Sequence, residues 1–303
     1  DTKMLNNNTD TFNNIFDVET NEQIIERIKN EIKEKIKTNV KDSIAVNNSI
    51  VSSTAFSGTN VHKQIRRNLL ATDDLHILHI LKRYVSCTSQ YLCNKTICLR
   101  CSAKHRFAAV AKAKSIFKWG TNENSYFLTI GFSCSYDKDK IIDVIRNAKH
   151  QLYSVCRKYH IKLVGNFETE PKHVLDLTYE NNKKGFEKLL RNCGENFKYN
   201  KKFFYPHLHA VVQSEYTQSE LRDIFINLFQ LGNKPIVQLK CLDKNNNYQQ
   251  NVINCTNYAY KFRFQHKGSF GKYSNVYDSD TLSNIVYIFD KLGYDGLKLV
   301  CKS

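Results

Sequence analysis

Two histidines stand two positions apart in the most strand-like segment of the chain, which runs from Phe203 to Val212. Because side chains alternate across a strand, His207 and His209 share one face, and both imidazoles can reach a single metal ion. Leu208 and Ala210 would then pack against helices on the opposite face. The segment therefore predicts a pair of metal ligands, although one buried and one surface histidine would give the same pattern.

Two imidazoles leave a divalent ion short of ligands, so an oxygen donor is also needed. Acids at the ends of neighbouring strands are the candidates, and each of them could equally be a solvated strand-end group. They are Glu168, Glu170 and Asp176. A site of two imidazoles and one carboxylate with open positions suits Mg²⁺ or Mn²⁺ bound to phosphate oxygen, while histidine also admits Zn²⁺ or Co²⁺.

A tyrosine and a lysine follow on a predicted helix that begins near Val252. Tyr258 and Lys261 are three positions apart, so they are neighbours on one helical face. The phenol could attack phosphorus, and the lysine could stabilise the developing charge or help the phenol to lose its proton. Taken alone, the pattern also fits an aromatic helix face with ordinary lysines.

Four of the ten cysteines fall within fifteen residues, namely Cys87, Cys93, Cys98 and Cys101. Thiolates at this spacing predict a structural Zn²⁺ site, with a group of buried thiols as the alternative. A basic helix from about residue 103 to 118 follows, and the zinc would fix it for contact with nucleic acid. Its predicted DNA-binding residues are Lys104, Arg106, Lys112 and Lys114.

Charge and composition indicate the class of partner. The 303 residues carry 45 Lys and Arg against 29 Asp and Glu, a formal charge of +16. Such an excess favours a nucleic-acid partner, whereas an anionic membrane surface or a Lys-rich and Asn-rich composition are the alternatives. No leader sequence or membrane-spanning run is visible, so we expect a cytoplasmic protein without a membrane partner.

The pattern of elements predicts an α+β fold. Strands and helices follow in the order β, α, β, β, α, β, which is typical of a ferredoxin-like or split-βαβ antiparallel sheet. Four regions are predicted: a flexible Asn/Ser-rich region with one helix (1–60), a helical Cys-rich DNA-binding segment (61–120), a catalytic domain (121–265) and a C-terminal helical extension (266–303).

These motifs together resemble the HUH endonucleases, and in particular the rolling-circle replication initiators of small bacterial plasmids. The strand from Phe127 to Phe132 resembles the first motif of that family, and Tyr205 to Val212 closely matches the second. Tyr258 to Lys261 fits the third, Tyr-x-x-Lys. The segment from Cys93 to Arg106 is similar to the cysteine and arginine segment that precedes the first motif.

The resemblance implies the HUH endonuclease fold and a reaction at a replication origin. Tyr258 would attack a DNA phosphodiester, leaving a 5′-phosphotyrosine and a free 3′-OH that primes synthesis. His207 and His209 would hold the ion, with a third ligand from a Glu-Val-Thr-like strand, where Asp176 matches best and Glu170 is second. The implied partners are single-stranded or supercoiled origin DNA and the host helicase and polymerase.

One position departs from the plasmid family. Four residues before the tyrosine, where a glutamate usually activates water to end the cycle, this chain has Asn254. Termination would then use another acid, a second protomer or Tyr260. Alternatively, the protein is a related HUH transposase, or a catalytically inert, zinc-stapled nucleic-acid-binding protein.

Overall fold

The computed structural model of the protein describes residues 19–38, 58–88, 90–173, 202–228, 236–262, 264–267 and 273–302. Four helices come first: α1 (Asn21–Thr38), α2 (Gly58–Leu70), α3 (Leu75–Val85) and α4 (Leu99–Ile116). The next elements are β1 (Ser125–Gly131), α5 (Lys138–Lys158), β2 (Lys162–His173), β3 (Lys202–Gln213), α6 (Gln218–Asn227), β4 (Ile236–Cys241) and α7 (Tyr248–Ala259). The chain ends with β5 (Gln265–Lys267), β6 (Tyr273–Val276), α8 (Ser279–Leu297) and β7 (Lys298–Cys301).

Side-chain caps fix where several helices begin. Thr217 and Glu220 form a capping box at the start of α6, in which each side chain accepts from the other residue's backbone amide. Asp74 caps α3 by accepting from two backbone amides of its first turn. In α8, Gly293 has a φ of 60°, a left-handed conformation that interrupts the helix near its end.

Five strands form one antiparallel sheet in the order β4-β1-β3-β2-β7. Strand β3 lies between β1 and β2 and runs antiparallel to both, so it splits the β1-α5-β2 unit. The prediction of an α+β fold with an antiparallel sheet is confirmed at this level. The Glu-Val-Thr-like strand expected around Asp176 lies outside the described residues.

The two faces of the sheet bury different sets of side chains. Leu208 and Ala210 on β3 belong to the main hydrophobic core, which also contains residues of α5 and α8. Val164 and Val211 point the other way and pack with residues of α4 and α7. We call this second side the site face, because His207 and His209 share the strand parity of Val211.

The C-terminal segment contains a sheet strand as well as the predicted helix. Helix α8 is present and buries Leu282 and Ile285, but the next four residues form β7, an edge strand paired with β2. One hydrophobic core runs from Ile28 of α1 to Cys301 of β7. Within the described part of the chain, no helix is long and apolar enough to cross a bilayer.

Candidate functional site

Strands β2 and β3 bring a carboxylate and two imidazoles together on the site face. The register places Glu168 directly opposite His207, and Asn166 opposite His209. Glu168, His207 and His209 are all buried, and their ligand atoms lie within 4.8 Å of one another. The Oε2 atom of Glu168 is 3.5 Å from Nε2 of His207 and 3.8 Å from Nε2 of His209.

These separations suit a shared metal ion better than direct hydrogen bonds. Hydrogen bonds between such groups span about 2.7–3.2 Å. Metal–donor bonds of about 2.1 Å place two donors of one ion roughly 3–3.5 Å apart, so a small contraction would seat a divalent ion among the three groups. The donor set and its spacing therefore fit a metal ion.

The remaining ring nitrogens are held from outside the site. Nδ1 of His209 hydrogen-bonds to Oγ1 of Thr129 at 3.0 Å, and Nδ1 of His207 donates to the carbonyl of Tyr205 at 3.3 Å. Both Nε2 atoms therefore face Glu168, the orientation that outer partners typically impose on ligand histidines. Burial disfavours a charged imidazole, yet the adjacent Glu168 outweighs it and raises the pKa of His207. The centre therefore favours bound positive charge.

The acids predicted from sequence fare differently. Glu170 lies two positions beyond Glu168 on β2, opposite Tyr205, and its carboxylate pairs with Lys172 at 3.4 Å. Asp176 lies outside the described residues. Of the two candidate acids that the structure describes, Glu168 is the one that lies beside the histidines.

Tyr258 lies beside this group on α7, and 41% of the residue is exposed. Its ring meets that of His209 edge to face, with centroids 5.1 Å apart, and that of Phe127 at 5.5 Å. Lys261 is buried just beyond the end of α7, and its Nζ is 2.9 Å from the centre of the Tyr258 ring. The predicted tyrosine and lysine are therefore adjacent, although the lysine is not on the helix itself.

Tyr260, the other tyrosine of the motif, is buried and packs in the interior of the protein. Its hydroxyl donates to the carbonyl of Gly165 at 2.8 Å, and 5% of the residue is exposed. Burial raises the pKa of this phenol. Tyr258 is thus much better placed than Tyr260 to reach a substrate.

Strand β1 supports the centre through residues whose roles the sequence did not reveal. The ring of Phe127 stacks on His209, with centroids 5.7 Å apart and planes at 14°. Gly131 leaves space for a tyrosine, because a Cβ there would lie 1.6 Å from the hydroxyl oxygen of Tyr205. Phe127, Thr129 and Gly131 share one strand parity, so the available signal was their period of two.

The four clustered cysteines converge as predicted, with their sulfur atoms within 4.8 Å of one another. The sulfur of Cys101 is 3.7 Å from that of Cys87 and 3.6 Å from that of Cys93. Tetrahedral zinc with Zn–S bonds of about 2.3 Å requires sulfurs about 3.8 Å apart. The described cysteines are all free thiols, so the cluster could hold a zinc ion.

The surrounding backbone also suits thiolate ligands. The amide of Cys93 donates to the sulfur of Cys87 at 3.4 Å, and the amide of Asn94 donates to the sulfur of Cys101. Asn94 has a φ of 53°, a left-handed turn conformation that asparagine tolerates. A hydrogen bond from Cys98 lowers the pKa of Cys87 to about 7. The hydrogen bond between Cys93 and Cys101 raises the pKa of Cys93 to about 12.

Helix α8 contacts the residues around the four clustered cysteines. The hydroxyl of Tyr294 donates to the carbonyl of Lys95 at 3.0 Å and lies 3.1 Å from Oγ of Ser102. His105 stacks on the ring of Tyr294 at 3.5 Å, so its imidazole has a packing role beside the cluster. The cluster is therefore built into the main core.

The predicted DNA-binding residues lie on α4. Lys104, Lys112 and Lys114 are exposed, whereas Arg106 is partly buried and burial lowers its pKa. The helix contains no acidic residue, and among the described residues none of these four cations forms an ion pair with an acid. The exposed part of α4 is thus a surface of uncompensated positive charge.

Asn254 occupies the position that departs from the plasmid family. Its side-chain oxygen accepts from Nε2 of Gln250 at 2.9 Å on the exposed side of α7. Both groups are neutral amides, so neither can serve as a general base.

No protein-family model, curated protein or solved structure matches the chain.

Proposed function

We propose that the protein is a metal-dependent endonuclease and ligase of the HUH class that acts on single-stranded DNA and initiates rolling-circle replication of a small plasmid. The observation that carries this proposal is the position of Tyr258, whose partly exposed ring lies against His209 of a buried Glu-His-His group. A nucleophile beside a candidate metal centre is the arrangement that phosphodiester transfer needs.

The reaction assigns a distinct role to each group. Glu168, His207 and His209 would hold Mg²⁺ or Mn²⁺, which when bound polarises a phosphoryl oxygen of the scissile bond. The Tyr258 oxygen attacks phosphorus as the phenol loses its proton, and the bond from phosphorus to the 3′ oxygen breaks. The products are a 5′-phosphotyrosine and a 3′ oxygen that takes up a proton.

Lys261 supports this step through its charge. Its ammonium contacts the Tyr258 ring and stabilises the phenolate that forms as the proton leaves. The same geometry serves the reverse reaction, in which a 3′-OH attacks the phosphotyrosine and releases the phenol. Cutting and rejoining would thus occur at one site, while host helicase and polymerase copy the DNA between the two steps.

A second candidate function is a zinc-stapled nucleic-acid-binding protein without catalytic activity. Asn254 favours it, because the position expected to activate water in the plasmid initiators carries a neutral amide. A related HUH transposase would use the same first chemical step and would differ in the DNA that it joins.

Formation of a covalent protein–DNA complex separates these candidates. Wild-type protein incubated with Mn²⁺ and random single-stranded DNA should give complexes that survive denaturation. Chelation and Tyr258→Phe should abolish them, whereas Tyr260→Phe serves as a matched control that keeps the reaction if the variant folds. Salt-sensitive DNA binding by wild-type protein without any covalent complex would favour the inert binder.

A further inference from the structure

The single tryptophan of the chain is held in solvent at the end of α4. Trp119 is 81% exposed, which is unusual because tryptophan is on average among the more buried residue types. Phe117, two residues before it, is completely buried in the layer between the site face and the helices. The tryptophan is therefore exposed on an anchored segment.

Contacts with α7 fix the turn that presents the ring. The carbonyl of Phe117 accepts from the backbone amide of Gly120 at 3.2 Å and from Nε2 of Gln249 at 3.2 Å. A Cβ on Gly120 would lie 2.0 Å from the hydroxyl of Tyr248, so this glycine packs closely against the start of α7. Ordering the ring therefore costs little further entropy when a flat ligand stacks on it.

Positive charge lies beside Trp119, and a second exposed ring lies on α4, about 18 Å away along the helix axis. Nζ of Lys118 lies 4.5 Å from the centre of the indole, and Phe107 on α4 is 57% exposed. Lys112 approaches Lys302, whose charge lowers the pKa of Lys112. Lys112 is on α4, a helix without acids, and Lys302 directly follows β7. Their neighbouring ammonium groups leave a position that a phosphate would neutralise.

We infer that α4 and the turn at Trp119 form a surface for single-stranded nucleic acid, on which bases stack against Trp119 and Phe107 and lysines contact the phosphates. This inference rests on the proposed function and adds a second contact area to its substrate. Aromatic rings interspersed with cations are the combination by which proteins bind single strands without reading sequence. A duplex keeps its base faces stacked internally and offers these rings no partner.

The surface lies within reach of the nucleophile. Gln249 contacts the turn at the start of α7, and the step along the helix from Gln249 to Tyr258 corresponds to about 14 Å. A strand bound at Trp119 would therefore pass along the same side of the sheet as the candidate centre. We expect the surface to hold the strand that flanks the cut phosphate.

The sole tryptophan makes the inference directly measurable. Oligo(dT) added to the full-length protein should quench Trp119 fluorescence in saturable fashion, and duplex DNA of equal length should quench it far less. Trp119→Ala should weaken oligo(dT) binding about 10-fold, as followed by anisotropy of a labelled strand, and leave duplex binding unchanged. Trp119→Phe keeps a ring that can stack and should retain most of the affinity.

Three results would overturn the surface: binding of oligo(dT) without quenching, equal losses for single strand and duplex, or quenching by anionic vesicles but not by oligo(dT). Unfolding temperatures of both variants, matched to wild type, exclude a folding defect as the cause. Quenching without any covalent complex would remove the proposed nuclease and keep the surface. A covalent complex without quenching would do the reverse.

Discussion

The candidate centre depends on which acid stands opposite His207. Glu168 and Glu170 are both on the site face of β2, but the register pairs the first with His207 and the second with Tyr205. The sequence predicts the histidine pair from its period of two. The family resemblance favoured Asp176 and then Glu170, whereas the structure places Glu168 beside the histidines. Periodicity could not separate the two glutamates, because they have the same parity and only the pairing of β2 with β3 distinguishes them.

The two glutamates form a matched pair of variants. Glu168→Gln should lower Mn²⁺ affinity by at least 100-fold, because an amide replaces the anionic donor between two buried imidazoles. Glu170→Gln should change the affinity less than about threefold, since that carboxylate pairs with Lys172. Isothermal titration with Mn²⁺ measures both. A large loss for Glu170→Gln with none for Glu168→Gln would refute the assigned ligand set.

Thr129 positions His209 without touching the ion site. Thr129→Val keeps the shape of the side chain but removes the hydrogen bond to Nδ1, so we expect Mn²⁺ affinity to fall about 10-fold. Thr129→Ser keeps the hydroxyl and should retain the affinity. Equal Mn²⁺ binding by wild type and Thr129→Val, with unfolding curves unchanged, would show that this bond does not orient the ring.

Contacts around the cysteine cluster link helix α4 to helix α8. Cys101→Ser removes one of four converging sulfurs, and we expect the zinc content to fall and the free energy of unfolding to drop by several kcal/mol. Cys241→Ser is the matched control, because Cys241 is exposed and lies outside the cluster. Metal analysis and thermal unfolding measure the two effects. Full stability of metal-free Cys101→Ser would indicate buried thiols instead of a zinc site.

Local sequence patterns predict some of the helices and strands but not others. The capping box at Thr217 and Glu220 locates α6, since its contacts lie within one turn. Strand β7 was missed because Lys298–Cys301 is too short to show alternation and its partner β2 lies far away in sequence. The end of α7 also differs from the prediction. The helix ends at Ala259, so Tyr258 and Lys261 are not neighbours on one helical face, but they still meet across the helix end.

The charge of +16 on the whole protein should make its proposed nucleic-acid binding steeply dependent on salt. The logarithm of the association constant for oligo(dT) should fall linearly with the logarithm of salt concentration. Replacing both Lys112 and Lys302 by Ala should reduce the slope by up to about 1.4, because each single-strand phosphate contact contributes about 0.7. Lys37→Ala is the control, since Lys37 already pairs with Glu34. An unchanged slope in the double variant would remove these lysines from the interface.

The overall architecture was predictable in outline. The order of strands and helices predicted an antiparallel sheet, and the structure has β3 between β1 and β2. The continuity of the core could not be predicted, because the contacts from Ile28 to Cys301 join segments far apart in sequence. The candidate site also depends on long-range contacts, because the pairing of β2 with β3 joins Glu168 to the histidines and the packing of α7 adds Tyr258.

The proposed function requires Tyr258 to be a nucleophile towards DNA. The most direct measurement is to incubate wild-type protein with Mn²⁺ and a pool of random single-stranded DNA, denature it, digest both polymers and locate any nucleotide-bearing peptide by mass spectrometry. We predict a phosphodeoxynucleotide on Tyr258. An adduct on Tyr260, or no adduct from protein that binds both Mn²⁺ and DNA, would contradict the claim.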